Sequence, residues 1–230
     1  MRVGVKTASP PFGFIGTHGE HEGFDVDVTK WLSSELFGSP DAVRFVPVTS
    51  QNEIGLLNAG TIDILADAAI TPERGKEVAL SIPYFVTGHL ILQRDDERPL
   101  SFDDLSGKRV AAVAGSSSDA VVGGKGANDV RFSSIAEALQ ALREGRVDAV
   151  VAKDEIVFAI EKEHPELNVT SWHPFAVVRC GLAVRKGDDA WLAFVNERLT
   201  AMKKTSQYRE LLEKWFGLVR ALLYERMLTS

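Results

Sequence analysis

Cysteine is almost absent from this 230-residue chain, and long apolar runs are missing altogether. Cys180 stands alone, so no disulfide can form within the chain and the redox compartment stays undetermined. It lies in a strand-like run, 176–184, without a catalytic signature, and we predict a small buried hydrophobic side chain. No stretch approaches the ~20 apolar residues that span a bilayer. Met1 leads directly into the strand-like Val3–Val5, without the basic-then-apolar opening of a signal peptide.

Positive charge is also in deficit. The 26 lysines and arginines against 32 aspartates and glutamates give a formal net charge of −6, which argues against a nucleic-acid or anionic-membrane partner. The five histidines are scattered without the spacing of metal ligands, so we expect no metal site. The composition, 45% hydrophobic and 25% charged, is that of a globular protein long enough for one large domain or two lobes.

Short apolar runs alternate with helical patterns, which predicts an α/β fold. The predicted strands are Val3–Val5, Val43–Val48, Ile62–Ala66, Leu90–Gln93, Arg109–Val113, Ala149–Ala152 and Gly181–Val184. The predicted helices are Val26–Leu36, Glu53–Asn58, Ile135–Glu144, Glu155–His164, Asp189–Lys203 and Ser206–Trp215. After residue 100 the earlier pattern repeats, which indicates two similarly built lobes. No flexible linker separates them, so we expect extended strands as hinge crossings, with ligand held in a cleft.

Arg74 is the first candidate binding residue. It follows the strand-like Ile62–Leu65 and lies in a helix that begins at Pro72. A guanidinium is a rigid fork of donors that matches a carboxylate, which favours a carboxylate receptor. The alternative is a surface arginine that pairs with Glu73 or Glu77.

A second candidate anion site follows the predicted strand Arg109–Val113. There, Gly115, Ser116 and Ser117 lead into a helix. Backbone N–H groups at a helix start favour negative charge, and the serines add hydroxyl donors that could grip the second oxygen of the same carboxylate. The alternative is an ordinary N-cap serine. The Gly-Lys-Ser/Thr ending of a phosphate-binding P-loop is missing.

Seven segments, in order over nearly the whole chain to about Gly217, resemble the family 3 extracellular solute-binding proteins, the amino-acid receptors of ABC importers. These segments are Gly23–Val28, Gly60–Asp63 with Ile70–Arg74, Ser81–Phe85, Asp104–Lys108, Gly115–Ser117, Gly145–Ala149 and Glu213–Gly217. The stretch Val48–Gly60 is particularly similar to the glutamate/aspartate-binding branch.

The resemblance implies a two-lobed periplasmic-binding-protein fold of type II, each lobe a mixed, mostly parallel sheet flanked by helices, with two hinge crossings. Lobe 1 would be 1–88 plus 183–230, and lobe 2 would be 89–182. Arg74 corresponds to the arginine that clamps the ligand α-carboxylate, and Ser117 with Ser116 to the lobe 2 contacts of that carboxylate. Asp25 and Asp27 correspond to structural positions at a helix entry.

Two departures from the family pattern concern the ligand's ammonium group. Lys153 stands where the family carries the ammonium-binding aspartate, and a lysine cannot accept a hydrogen bond. Either Asp154 substitutes after a small shift of the helix start, or the ligand is not a standard α-amino acid. Asp67, where relatives have a small residue, could also accept the ammonium; otherwise it would pair with Lys153 or a surface lysine. Ala69 is counted with Asp67 among the candidate contacts.

Glu53 stands where the glutamate/aspartate branch has an arginine. We therefore expect acidic amino acids to be disfavoured, unless Glu53 is a solvated carboxylate at a helix start. Ser9 and Ser50 occupy the usual aromatic clamp positions, so stacking on the ligand is lost unless Phe12 or Phe14 reaches in. Lys6 replaces a polar or acidic contact, or is merely a strand-end lysine.

Three functional hypotheses remain open. The first is a monomeric periplasmic or extracellular receptor for an ABC importer. It would capture a small carboxylate-bearing solute, an amino acid or similar, by hinge closure, without catalysis or cofactor. The missing signal segment does not decide the location, because such segments are commonly removed. The second is the sensor domain of a membrane histidine kinase or cyclic-dinucleotide signalling protein, with Leu218–Ser230 as a juxtamembrane helix start. The third is an enzyme similar to cyclohexadienyl dehydratase, with Glu53, Asp67 or Lys153 in catalysis.

Overall fold

Strands and helices alternate along the computed structural model, which describes residues 1–49, 51–95, 97–98, 100–164, 166–170 and 174–229. The strands are β1 Arg2–Val5, β2 Ala8–Ser9, β3 Gly13–Ile15, β4 His21–Glu22, β5 Arg44–Pro47, β6 Ile64–Ala69, β7 Ala79–Leu80, β8 Phe85–Arg94, β9 Arg109–Val113, β10 Asn128–Phe132, β11 Ala149–Lys153, β12 Leu167–Val169 and β13 Phe175–Val184. The helices are α1 Phe24–Phe37, α2 Glu53–Asn58, α3 Pro72–Glu77, α4 Ser117–Gly123, α5 Ile135–Arg143, α6 Asp154–Glu163, α7 Asp189–Met202, α8 Ser206–Phe216 and α9 Leu218–Thr229, with a 3₁₀ turn at Phe102–Leu105.

The chain divides into two compact units. Unit 1 is Met1–Val86 with Arg179–Ser230, and unit 2 is Thr87–Val178. The chain therefore leaves unit 1 within β8 and returns within β13. None of the helices in the described part of the chain has the length and apolarity that crossing a bilayer requires.

The sheet of unit 1 is built around β1, which pairs in parallel with β5 on one side and β6 on the other. The returning strand β13 runs antiparallel to β6 and β7. The strand β6 is buried along nearly its whole length, because helices cover both faces of a central strand. Its apolar side chains join a core that comprises Val48, Leu57, Ile62, Leu65, Ala68, Val78 and Ala183.

A cluster of aromatic rings forms a second part of the unit 1 core, and the last helix belongs to it. Phe85 lies 5.0 Å from both Phe12 and Phe216, centroid to centroid, and 4.6 Å from Tyr224 of α9. Tyr224 and Ala221 are fully buried. The tail that the sequence left as a possible juxtamembrane helix therefore packs back onto unit 1. Phe12 is part of this cluster, and Phe14 packs edge-on against Trp215 with 5.8 Å between the ring centroids.

The sheet of unit 2 has the strand order β10-β9-β11-β8, with β12 on the other edge of β8. The inner pairs with β9 are parallel, whereas β8 runs antiparallel to β11 and β12. Its core consists of the buried residues Ile91, Leu105, Val110, Ala112, Val122, Ala149 and Val151. A separate three-stranded sheet, β2-β3-β4, precedes α1 in unit 1.

Candidate functional site

Arg74 lies at the start of α3, where the chain turns out of β6. Thr71 caps this helix, because its Oγ1 accepts a hydrogen bond from the Arg74 backbone N–H at 3.2 Å, and Pro72 occupies the first helical position. The guanidinium Nη2 of Arg74 donates to Oε1 of Glu53 at 2.5 Å. Its partner is neither Glu73 nor Glu77, so the alternative of a surface arginine paired with one of these two is wrong.

Glu53 begins α2 and is 1% exposed, so the interpretation of Glu53 as a solvated carboxylate is also wrong. Arg74 is 24% exposed at its side chain. Only one arm of each group is used: Arg74 Nη1 and Glu53 Oε2 are buried and have no hydrogen-bond partner among the described residues. Leaving a buried polar atom unpaired costs stability, and the cost is greater for charged groups. The pair therefore offers one unused donor and one unused acceptor.

Asp67 and Lys6 form a second ion pair in unit 1, with 3.1 Å between Asp67 Oδ2 and Lys6 Nζ. Both side chains are about a quarter exposed, at 25% and 27%. Of the two partners expected for Asp67, the structure places a lysine of its own unit there, not Lys153. Asp67 has a backbone φ of 54°, the left-handed region that few non-glycine residues adopt. Its N–H donates to the hydroxyl of Tyr84 at 3.0 Å.

Behind Asp67, the Tyr84 hydroxyl donates to Oδ1 of Asp25 at 2.5 Å, and Asp25 is fully enclosed at the start of α1. Burial, with the nearby charge of Asp67, raises the pKa of Asp25 to about 8, although the hydrogen bond from Tyr84 opposes the shift. Asp25 therefore keeps its proton at neutral pH. This is a structural role at a helix entry, as the resemblance implied.

The remaining candidate residues of unit 1 are Ser9, Ala69 and Ser50. Ser9 ends the short strand β2 and is partly exposed. Ala69 ends β6, in register with Cys180 of β13, and Cys180 is buried as predicted. Ser50 lies outside the described residues.

In unit 2, the two serines have different roles. Ser116 is the N-cap of α4, because its Oγ accepts from the backbone N–H of Asp119 at 3.2 Å. Ser117 Oγ instead lies 3.2 Å from Nε2 of His89, whose Nδ1 lies 3.3 Å from the carbonyl oxygen of Ala176.

The Ala176 contact decides which way the Ser117 hydroxyl points. A carbonyl can only accept, so Nδ1 of His89 carries the hydrogen. Burial lowers the pKa of His89, and the neutral ring then leaves Nε2 as an acceptor. Ser117 therefore donates its hydroxyl hydrogen to His89 and presents lone pairs elsewhere. The contact of Ser117 with a ligand carboxylate stays a prediction, and in this geometry its hydroxyl hydrogen is directed at His89.

Asp154 is enclosed within unit 2. Its Oδ1 accepts from the hydroxyl of Thr87 at 2.7 Å and from the Glu155 N–H at 2.8 Å, and its Oδ2 accepts from the N–H of Gly88 at 3.1 Å. Burial, and then its contact with Glu155, raises the pKa of Asp154 to about 8. Both oxygens thus secure β8, which leaves Asp154 poorly placed to receive an ammonium group.

Lys153 ends β11 in register with His89 of β8. Its Nζ lies 3.5 Å from Oε1 of Glu155. Although burial acts in the opposite direction, the hydrogen bond with Asp154 and the charge of Lys153 lower the pKa of Glu155. Lys153 is therefore held by a carboxylate of its own unit.

Sequence reasoning missed Glu155 and Thr87 around Asp154, and His89 beside Ser117. Of these, His89 could have been found from strand register, because aligning β8 antiparallel to β11 places His89 opposite Lys153. Within the described ranges, no group of three or more His, Cys, Asp or Glu side chains is arranged to hold a metal ion.

The chain thus has a mixed α/β fold in two units that are joined by two strands, and in unit 1 a semi-buried arginine is paired with a buried glutamate. The sequence matches the bacterial extracellular solute-binding proteins, family 3, over residues 1–218, and the chain belongs to this family. All of α9 except its first residue, Leu218, lies beyond the matched region.

Individual relatives are named for amino acids. The ABC transporter glutamine-binding protein GlnH of Bacillus subtilis strain 168 is 36% identical over 217 residues, which cover 92% of this chain and 79% of the relative. An ancestral arginine-binding protein bound to arginine is 36% identical with a TM-score of 0.66, covering 94% of this chain and 97% of that one. The ancestral amino acid-binding protein AncCDT-1, a precursor of cyclohexadienyl dehydratase, is 35% identical with a TM-score of 0.69, covering 94% of each chain.

Proposed function

We propose that this chain is an amino-acid receptor that binds the α-carboxylate of its ligand at Arg74. The observation that supports this proposal is the unused arm of the guanidinium, Nη1, which is buried without a partner while Nη2 is held by Glu53. A carboxylate oxygen is the natural acceptor for such a donor. The relatives named above for glutamine and arginine support the same ligand class.

We further propose that the receptor is a monomer, works outside the cytoplasm and delivers its ligand to an ABC permease. The family, described as extracellular solute-binding proteins, and the transporter name of the Bacillus relative support this assignment. The docking of α9 onto the unit 1 core argues against using that helix as a link to a membrane signalling module.

We propose a receptor rather than an enzyme. The groups that could serve a dehydratase, Glu53, Asp67 and Lys153, are each held in an ion pair. Two acids with raised pKa values, Asp25 and Asp154, are enclosed and fixed by hydrogen bonds. Conversion of prephenate or arogenate by the purified protein would contradict this proposal.

A thermal-shift screen against the common amino acids, polyamines, dicarboxylates and betaines tests the proposed ligand class. A ligand present at ~100 times its dissociation constant adds about 2.7 kcal/mol to the free energy of unfolding. We expect a shift with at least one amino acid and none with a polyamine that lacks a carboxylate. A flat response to all the amino acids would refute the proposed function.

Arg74→Lys tests the residue. A lysine keeps a positive charge beside Glu53, so the buried carboxylate keeps a counter-ion. The lysine ammonium cannot donate to two carboxylates with the planar geometry of a guanidinium. We expect affinity for the amino acid to fall about tenfold or more, measured by titration calorimetry. Arg209→Lys, on the surface of α8 opposite Glu225, is the matched control and should bind as the wild type does. Unchanged affinity in Arg74→Lys would assign the carboxylate to another residue.

A further inference from the structure

Glu53 Oε2, the unpaired acceptor of the Arg74–Glu53 pair, takes no part in the proposed carboxylate contact. Glu53 is 1% exposed, yet its Oε2 has no donor among the described residues. A carboxylate oxygen that is buried and unpaired attracts a cationic donor, because removal from water strengthens the interaction between charges. The adjacent Arg74 already uses one arm on Oε1, so the missing donor must come from elsewhere.

The other carboxylates considered for an ammonium group do not combine full burial with an unpaired oxygen, because Asp67 is a quarter exposed and both oxygens of Asp154 have donors. Asp67 is paired with Lys6 at 3.1 Å. Both oxygens of Asp154 accept hydrogen bonds within unit 2, from Thr87 and from two backbone N–H groups. Lys153 is itself a cation. Among these described candidates, Glu53 is the carboxylate that combines full burial with an oxygen lacking a donor.

We propose that Glu53 Oε2 accepts a hydrogen bond from the α-ammonium of the ligand, while Arg74 Nη1 donates one to its α-carboxylate. This assignment rests on the proposed function and specifies its substrate class as zwitterionic α-amino acids. In an α-amino acid, the ammonium and the carboxylate group are attached to the same carbon. The adjacent Arg74 and Glu53 side chains can therefore contact both groups at once. Unit 1 thereby supplies the acceptor that Lys153 cannot supply.

A competing account gives Glu53 the opposite effect. If Glu53 were only a resting counter-ion, the incoming carboxylate would have to displace it from Arg74. Removing its charge would then strengthen the binding of every carboxylate, with or without an ammonium group. Under our assignment, removal weakens binding of the zwitterion alone.

The experiment compares two ligands with three proteins. The ligands are the amino acid that gives the largest shift in the screen and its analogue with hydrogen in place of the ammonium; for glutamine the analogue is glutaramic acid, and for arginine it is des-amino arginine. The proteins are the wild type, Glu53→Gln, and the control Glu73→Gln, which removes an exposed carboxylate beside Arg74 in sequence. Dissociation constants are measured by titration calorimetry at pH 7.

We expect the wild type to bind the amino acid about tenfold or more tightly than the analogue, as for loss of a charge-assisted hydrogen bond. Glu53→Gln should lose about tenfold or more for the amino acid, while its affinity for the analogue is unchanged or higher. Glu73→Gln should match the wild type for both ligands.

The assignment is overturned if Glu53→Gln binds the amino acid as tightly as the wild type or more tightly. If that variant fails to fold, the wild type alone decides, because equal affinity for the two ligands would exclude an ammonium acceptor. Should the wild type bind no amino acid, the proposed function fails together with this assignment. Binding that is insensitive to Glu53→Gln removes only the role of Glu53.

Discussion

Replacing Asp25 with asparagine should flatten the dependence of stability on pH. Asp25 is 3% exposed, and burial raises its pKa to about 8. In the unfolded chain an aspartate has a pKa near 3.9, so between these values the native state holds a proton that the unfolded state has lost. The contribution of Asp25 to stability is thus fully present below pH ~4 and is lost as the pH rises through about 8.

The expected size of the effect follows from this window. Each pH unit inside it lowers the free energy of unfolding by about 1.4 kcal/mol for one such group, or about 3 kcal/mol between pH 5.5 and 7.5. Asparagine keeps an acceptor for the hydroxyl of Tyr84 and does not titrate. Urea unfolding at pH 5.5, 6.5 and 7.5 measures the slope, and contributions from other groups cancel when wild type and Asp25→Asn are compared.

The control is Asp27→Asn, which removes a carboxylate from the same helix while leaving Asp25 in place. The carboxylate of Asp27 accepts hydrogen bonds from Lys214 at 2.7 Å and Trp215 at 2.8 Å. We expect this variant to follow the wild-type slope. The reasoning is refuted if Asp25→Asn shows the same slope as the wild type, since Asp25 would then titrate alike in the native and unfolded states.

Two further variants test the backbone and the core of unit 1. Gly23 has a φ of 133°, and a Cβ there would lie 2.0 Å from the carbonyl oxygen of Phe12, so Gly23→Ala should lower the free energy of unfolding by about 3 kcal/mol or more, measured with urea. The control Gly38→Ala, with a φ of 73° and open space around the Cβ, should lower it by about 1 kcal/mol. Equal losses in the two variants would contradict the steric argument. Tyr224→Ala should cost about 3–5 kcal/mol by the same assay, whereas Leu222→Ala, at 49% exposure on the same helix, should cost well under half as much; a small loss for Tyr224→Ala would show that α9 adds little to the core.

Much of the fold follows from periodicity in the sequence. The bounds of α2 and β9 agree with the prediction residue for residue, and the strand crossings between two similar α/β units were expected from the absence of a flexible linker. The short strands β10 and β12 escaped prediction, because three to five residues with polar members give too little alternation to recognise. A helix start was considered at Leu218–Ser230, but the packing of α9 onto unit 1 was not predicted, since its apolar side chains follow no single face clearly.

The candidate site was predictable in its members but not in its pairings. Arg74 was identified from its motif, yet its partner Glu53 lies 21 residues away, whereas Glu77, three residues further on, fits the local spacing of a helical pair. Lys6 and Asp67 meet across 61 residues, through the parallel pairing of β1 and β6. Such contacts depend on the register of strands, which hydrophobic pattern constrains only to one face.

The carboxylate that Arg74 already holds has a consequence for salts. A bare arginine at a binding site attracts chloride, sulfate or phosphate from the surrounding medium as readily as it attracts a nutrient. With Glu53 buried against it, the two charges cancel at a distance, and a simple inorganic anion gains from one while being repelled by the other. In the proposed binding mode, a molecule that carries both a carboxylate and an ammonium group is attracted by both charges. Simple inorganic anions are then disfavoured at this pair whatever the size or shape of the ligand side chain.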